Sequence, residues 1–273
     1  MTDCRGLADC HTHTAFSFDA EERPKRMAEQ AVALGLAVYG ITDHCEMNMP
    51  GLDALRRAMT ASVTETGRLS ARYAGSGTRI LTGLELGQPM QNLPETERFL
   101  KELPVDFIIG SLHNLAGEQD FYYLHYNEGT AAEYLARYFD ELYEMICWGG
   151  FDSLGHLTYP LRYMVAREKV PVRLEDFQFQ TDRILSALAE RGLALELNTS
   201  GLTGEDGYSM PPLELLTRFR ELGGSYVTLG SDAHQAGYIG KGIRAGAVLM
   251  KAAGFDSVTY FINREPVLLP ISL

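Results

Sequence analysis

Short apolar runs alternate with longer amphipathic stretches along this chain of 273 residues, and that alternation predicts an α/β fold. Six of its seven histidines fall where such an apolar run has just ended, with acidic residues beside or between them. A barrel gathers every strand C-terminus at one mouth, whereas an open sheet spreads them out. The expected architecture is therefore a seven-stranded β/α barrel with a metal site at the C-terminal ends of its strands.

The strands are expected at 6–10, 38–42, 80–85, 107–112, 152–155, 194–198 and 226–230. The intervening helices are expected at 24–34, 53–74, 94–103, 130–146, 174–191, 212–222 and 239–253. Pro24 opens the first helix and Gly35 stops it, while Gly192 and Gly223 are equally good stops for later ones. Seven βα repeats imply parallel strands joined by right-handed crossovers. Residues 259–269 are expected to add a last strand or a closing tail. No low-complexity linker or internal repeat interrupts the pattern, so residues 1–273 are expected to form one domain.

Composition removes several function classes. Apolar residues make up 45% and charged residues 22%, ordinary values for a globular protein. With 36 acidic against 24 basic residues the formal net charge is −12, which disfavours a nucleic-acid polymer as partner. A small phosphate ester stays open, because metal ions supply local positive charge. The four cysteines, Cys4, Cys10, Cys45 and Cys147, form no CxxC pair, and thiols beside histidines suit a reducing compartment. No stretch approaches the roughly 18 apolar residues of a membrane span. The N-terminus lacks the pattern of a signal peptide. The expectation is a cytoplasmic protein without a membrane partner; the sequence is silent on oligomeric state.

The strand ends carry the chemistry. His11 and His13 alternate along a strand, so both rings face one side and suit a common ion. Asp232 and His234 repeat that spacing near the far end of the chain. Glu85 follows an apolar run and lies between Gly83 and Gly87, with two oxygens to bridge a pair of metals. His113 and His156 each end a near-continuous apolar strand. Asp43 and His44 are neighbours, so one is expected to ligate and the other to support, Asp43 by accepting a histidine N–H. His125, in a tyrosine-rich stretch, is expected to be structural or a pocket wall. Thiolates at Cys10 and Cys45 are the weaker alternative to buried free thiols.

These motifs, in this order, resemble the PHP (polymerase and histidinol phosphatase) family, and they span residues 11 to 234. Asp9-Cys10-His11-Thr12-His13, Gly110-Ser111-Leu112-His113 and Glu196-Leu197-Asn198-Thr199-Ser200-Gly201-Leu202 look most like its histidinol-phosphate phosphatase branch. The resemblance implies a distorted (β/α)7 barrel and a centre of three divalent ions (zinc, iron or manganese). It implies His11, His13, Glu85 and Asp232 on one ion, Glu85, His113 and His156 on a second, and His44, His234 and Asp19 on the third. It further implies hydrolysis of a small phosphate monoester by a metal-bridging hydroxide, with L-histidinol phosphate as the first expectation. Glu85, Asp232 and His234 would share in catalysis, and Arg162 would grip the phosphate. Relatives often carry an arginine where this chain has Thr203; Lys241 and Arg244 are candidates to replace it. Glu46, Glu196 and Asp206 are candidates to bind a substrate amine. Other readings are a PHP phosphoesterase acting on a nucleotide or another small ester, a non-catalytic metal-binding PHP module and, more distantly, an amidohydrolase.

Overall fold

A computed structural model describes residues 4–203 and 207–273, and at Thr203 the backbone alone. Eight parallel strands surround the core: β1 (Ala8–Asp9), β2 (Val38–Ile41), β3 (His44–Glu46), β4 (Arg79–Gly87), β5 (Phe107–Ser111), β6 (Ser153–Leu154), β7 (Ala194–Asn198) and β8 (Val227–Gly230). They run β1-β2-β4-β5-β6-β7-β8 across the sheet, and β3 also pairs with β4. β2 lies along Arg79 to Thr82 and β3 along Glu85 to Gly87, so the two are one strand broken at Thr42-Asp43. The circuit nearly closes through backbone bonds beyond the strand ends. Cys10 N–H donates to Leu229 O (2.8 Å), Asp232 N–H to His11 O (2.8 Å) and His13 N–H to Ala233 O (2.9 Å). The result is the expected distorted barrel, seven strands round with one of them split.

Helices pack outside: α1 (Pro24–Leu34), α2 (Leu52–Arg72), α3 (Leu93–Glu102), α4 (Glu128–Trp148), α5 (Gln178–Arg191), α6 (Leu213–Glu221) and α7 (Ile243–Ala252). α1 has the expected bounds. α4 begins two residues earlier than expected because Asn127 and Thr130 form a reciprocal capping box. α5 and α7 begin later. Leu174–Phe177 is a separate 3-10 turn, and positive φ at Gly240 (75°) and Gly242 (73°) breaks the helical path ahead of Ile243. Among the described residues no helix is long and apolar enough to cross a membrane.

The tail is a hairpin rather than a barrel strand. β9 (Ser257–Ile262) and β10 (Glu265–Pro270) pair antiparallel around Asn263 and Arg264, both at positive φ (51° and 70°). Arg264 N–H donates to Asp106 O (2.7 Å), and its guanidinium meets Asp152. Both partners precede the starts of β5 and β6, so the hairpin covers the barrel floor, opposite the mouth.

Inside the barrel, large side chains sit over glycines on neighbouring strands. A methyl carbon at Gly40 would lie 2.9 Å from both Cys10 O and the Phe107 ring, and one at Gly83 would lie 2.7 Å from Phe107 and Thr42. Because one neighbour of Gly40 is backbone, the overlap cannot be relieved by a rotamer change. Gly40→Ala should lower stability by about 1–3 kcal/mol through overpacking, read as a reduced midpoint in thermal unfolding.

Candidate metal centre

At the mouth, five histidine rings converge on one carboxylate, and a sixth, His234, stands beside them. Glu85, at the upper end of β4, is 1% exposed. Its Oε1 accepts from Ser111 Oγ (2.8 Å) and lies 2.8 Å from His156 Nε2 and 3.1 Å from His113 Nε2. Its Oε2 lies 2.9 Å from His44 Nδ1, 3.3 Å from His11 Nε2 and 3.5 Å from His13 Nε2, yet makes no hydrogen bond.

His11 and His13 follow β1 and bring their Nε2 atoms within 3.1 Å of each other. The other ring nitrogens are occupied. His11 Nδ1 faces Glu196 Oε1 at 2.6 Å, and His13 Nδ1 faces Ser17 Oγ at 3.2 Å. Ser17 gives its own proton to Asp43 Oδ1 (2.9 Å), so its oxygen accepts from His13. With both Nδ1 atoms donating, two Nε2 lone pairs point at each other and at an orphaned carboxylate oxygen. A bound cation relieves that repulsion. Without such a cation a proton would take its place on His11: burial pushes its pKa down, but Glu196, Glu85 and Asp232 outweigh that and raise it well above the usual value. Burial, with His44 and His234 alongside, pushes His13 down to about 3. A donor set of imidazoles and carboxylates with these orphaned atoms fits divalent ions.

The remaining ligand candidates ring the same space. Asp232, in left-handed backbone (φ 56°), brings Oδ1 to 3.3 Å from His13 Nε2. Asp19 Oδ2 stands 3.1 Å from His234 Nε2 and 3.5 Å from His44 Nε2. The His13 ring is stacked between those of His44 and His234, with centroids 4.2 Å from each. Three sets of ligand atoms lie within 4.8 Å of one another: His11–His13–Glu85, His44–Glu85–His113 and His13–His44–His234. The structure thus groups His44 with Glu85 and His13 with His234, overlaps that the residue order does not suggest.

The expectations for Asp43, Glu46 and Glu196 change, while Cys10, Cys45 and His125 stay off the centre as expected. Asp43 accepts from no histidine. Its carboxylate takes Thr14 N–H (2.6 Å), Thr14 Oγ1 (2.9 Å), Ser17 Oγ and Ser62 Oγ (2.5 Å), pinning the loop after β1 beneath the broken strand. Glu46 and Glu196 are 4% and 1% exposed and pair with His113 and His11, so neither is free to take a substrate amine. Cys10 and Cys45 are buried, and burial pushes both thiols up, away from the thiolate a metal needs. His125 is exposed and pairs with Glu168 (3.0 Å), apart from the centre. Lys241 lies over the Tyr238 ring (3.4 Å) and Arg244 is half-buried in the first turn of α7. Asp206 and the Thr203 side chain lie outside the described residues.

Arg162 opens a π-helical turn (Arg162–Arg167) beside the centre. It donates to Ser200 Oγ and stands 3.8 Å from Asp232 Oδ2. Tyr159, absent from the sequence reading, packs on His156 and His113 with centroids 4.9 and 5.2 Å away. Ser17 was also missed, since its role appears only once residues 13, 17 and 43 meet in space.

A family model described as "PHP domain" matches residues 9–200. The chain belongs to the PHP family. Among its PHP relatives, it is 31% identical over 261 residues to the histidinol-phosphatase of Lactococcus lactis subsp. lactis, covering 93% of each chain. It is 27% identical to a probable histidinol-phosphatase of Thermotoga maritima, covering 92% of this chain and 94% of that one. The solved histidinol phosphate phosphatase of L. lactis, complexed with zinc, L-histidinol and phosphate, superposes with a TM-score of 0.80 at 28% identity, over 96% of this chain and 99% of that one. The likeness to that structure thus reaches beyond the matched domain to nearly the whole of both chains.

Replacing Asp43 by Asn leaves an amide N–H₂ facing donors from Thr14, Ser17 or Ser62. Unfolding by heat should show a loss of about 3 kcal/mol, on the order of 10 °C in Tm for a chain of this size.

Proposed function

We propose that this PHP protein is a metal-dependent phosphatase that hydrolyses L-histidinol phosphate to L-histidinol and phosphate, a step in histidine biosynthesis. The observation that carries the reading is the convergence of six histidines, Glu85, Asp19 and Asp232 on one mouth. Likeness over nearly the whole chain to histidinol phosphatases, one of them holding zinc, L-histidinol and phosphate, supports the substrate.

His11, His13, Glu85 and Asp232 would hold one ion, Glu85, His113 and His156 a second, and His44, His234 and Asp19 a third, whether zinc, iron or manganese. Divalent ions so held supply Lewis acidity toward phosphate oxygens and acidify water. The chain's own residues do the rest. Arg162 is aimed toward Asp232 and held by Ser200, which in turn donates to Asn198 Oδ1 (2.6 Å). A guanidinium so fixed binds phosphate oxygens by paired charge-assisted bonds. Tyr159 covers His113 and His156 and keeps bulk water from that side of the centre. The buried thiols of Cys10 and Cys45, outside any disulfide, support a cytoplasmic setting.

The test is phosphate release from L-histidinol phosphate by zinc- or manganese-loaded protein, beside a nucleotide and an aryl phosphate. The expected result is a preference of about a hundredfold in kcat/KM, roughly 2.7 kcal/mol. A nucleotide turned over equally well would move the substrate, and no release from any ester would favour a non-catalytic metal-binding module. In the same assay Arg162→Ala should lose about a hundredfold in kcat/KM.

A further inference from the structure

Two buried glutamates stand directly behind the rings of the centre. Glu196, on β7, accepts His11 Nδ1–H through Oε1 (2.6 Å) and His156 backbone N–H through Oε2 (2.7 Å). Glu46, on β3, accepts His113 Nδ1–H through Oε1 (3.0 Å), while its Oε2 takes Gln88 Nε2. Gln88 Oε1 in turn accepts His113 backbone N–H (3.0 Å). Each carboxylate is therefore clamped at both oxygens and cannot turn toward the substrate.

The barrel makes room for both. A methyl group at Gly230 would overlap His11 Cβ and the Glu196 carboxylate, and one at Gly87 would overlap the Glu46 carboxylate. An ionised carboxylate is costly to bury without partners; here Glu196 is placed against His11 Nδ1, and Glu46 against His113 Nδ1, with His44 Nδ1 3.2 Å from the same oxygen. The opposite nitrogens are those that converge. His11 Nε2 lies 3.3 Å from Glu85 Oε2, and His113 Nε2 lies 3.1 Å from Glu85 Oε1.

We propose that Glu196 and Glu46 are positioning residues that fix His11 and His113 as Nδ1–H tautomers, leaving each Nε2 unprotonated and aimed at the metal centre. This rests on the metal reading above but not on the identity of the ester. A carboxylate behind a ligating imidazole orients the ring and raises its basicity, and its loss typically costs 10–100-fold in metal affinity. Glutamine is the informative replacement. In Glu196→Gln, an amide oxygen on His11 leaves N–H₂ against the His156 N–H. The flipped amide instead favours the His11 tautomer protonated at the nitrogen that must ligate. Glu46→Gln sets the same conflict between His113 and Gln88.

The experiment loads the full chain with zinc, measures zinc affinity by chelator competition and zinc per chain by elemental analysis, and reads histidine ring nitrogens by ¹H–¹⁵N NMR. In the unsubstituted protein, His11 and His113 should both be protonated at Nδ1. In each glutamine variant, zinc affinity should fall about 10–100-fold, with the Nδ1–H signal of the affected ring shifted or lost. A ring protonated at Nε2 in the unsubstituted protein overturns the proposal without any variant. Zinc affinity and count unchanged in both variants, with only a lower Tm of the metal-free chain, reduce the pairs to fold stabilisation and overturn it too. An unsubstituted chain that takes up no zinc, iron or manganese overturns the metal reading and this proposal with it, an outcome separate from either of the others.

Discussion

The Glu85 carboxylate, buried among the rings of His11, His13, His44, His113 and His156, is the constraint on which the mouth of the barrel depends. One oxygen has a hydroxyl donor and two imidazoles, the other only imidazoles and no hydrogen bond. Such a group is tolerable in a protein interior only with strong positive charge nearby. Protons on His11, His44 and His113 would supply it, and all three rings are raised above their usual pKa because neighbouring carboxylates outweigh burial. Divalent ions would supply it better, since they also satisfy the opposed lone pairs of His11 and His13.

Around that point the loops are tied by carboxylates that do not enter the centre. Asp9 takes Ser231 N–H (2.9 Å), Ser231 Oγ (2.6 Å) and Gly240 N–H (2.9 Å), which fixes the approach to Asp232 and His234. Asp43 does the same for the loop carrying Ser17 and leading to Asp19. Glu46 and Glu196 secure the rings from behind. The break between β2 and β3 belongs to this scheme. It lets Asp43 bind the loop after β1 while His44, the next residue, turns its ring to Glu85.

Much of this was legible in the sequence because it is local. α1 and β7 keep their expected bounds, since Pro24, Gly35 and the apolar run at 194–198 are signals within a few residues of the ends they set. The histidines at strand ends carried the mouth. The broken strand was not legible, because Thr42 and Asp43 contain no glycine or proline and the break is stabilised by Thr12, Thr14 and Ser17. Nor were the partners of Glu46 and Glu196. His11 and Glu196 are 185 residues apart, and only barrel closure joins them. An acidic residue inside the otherwise apolar Ala194-Leu195-Glu196-Leu197 was a signal that something polar lay opposite, without saying what.

The floor hairpin has a consequence for the molecule's neighbours. In a two-residue hairpin the closing pair, here Ile262 and Glu265, is hydrogen-bonded, and the pattern then alternates along the ladder. Glu265, Val267 and Leu269 thus turn their backbone groups toward β9, and Pro266, Leu268 and Pro270 turn theirs outward. Two of those three outward positions lack an N–H altogether. The free margin of β10 offers a single amide, from Leu268, to an incoming strand. An edge so depleted is a poor template for strand addition, so the hairpin can seal the barrel floor without inviting fibrous association.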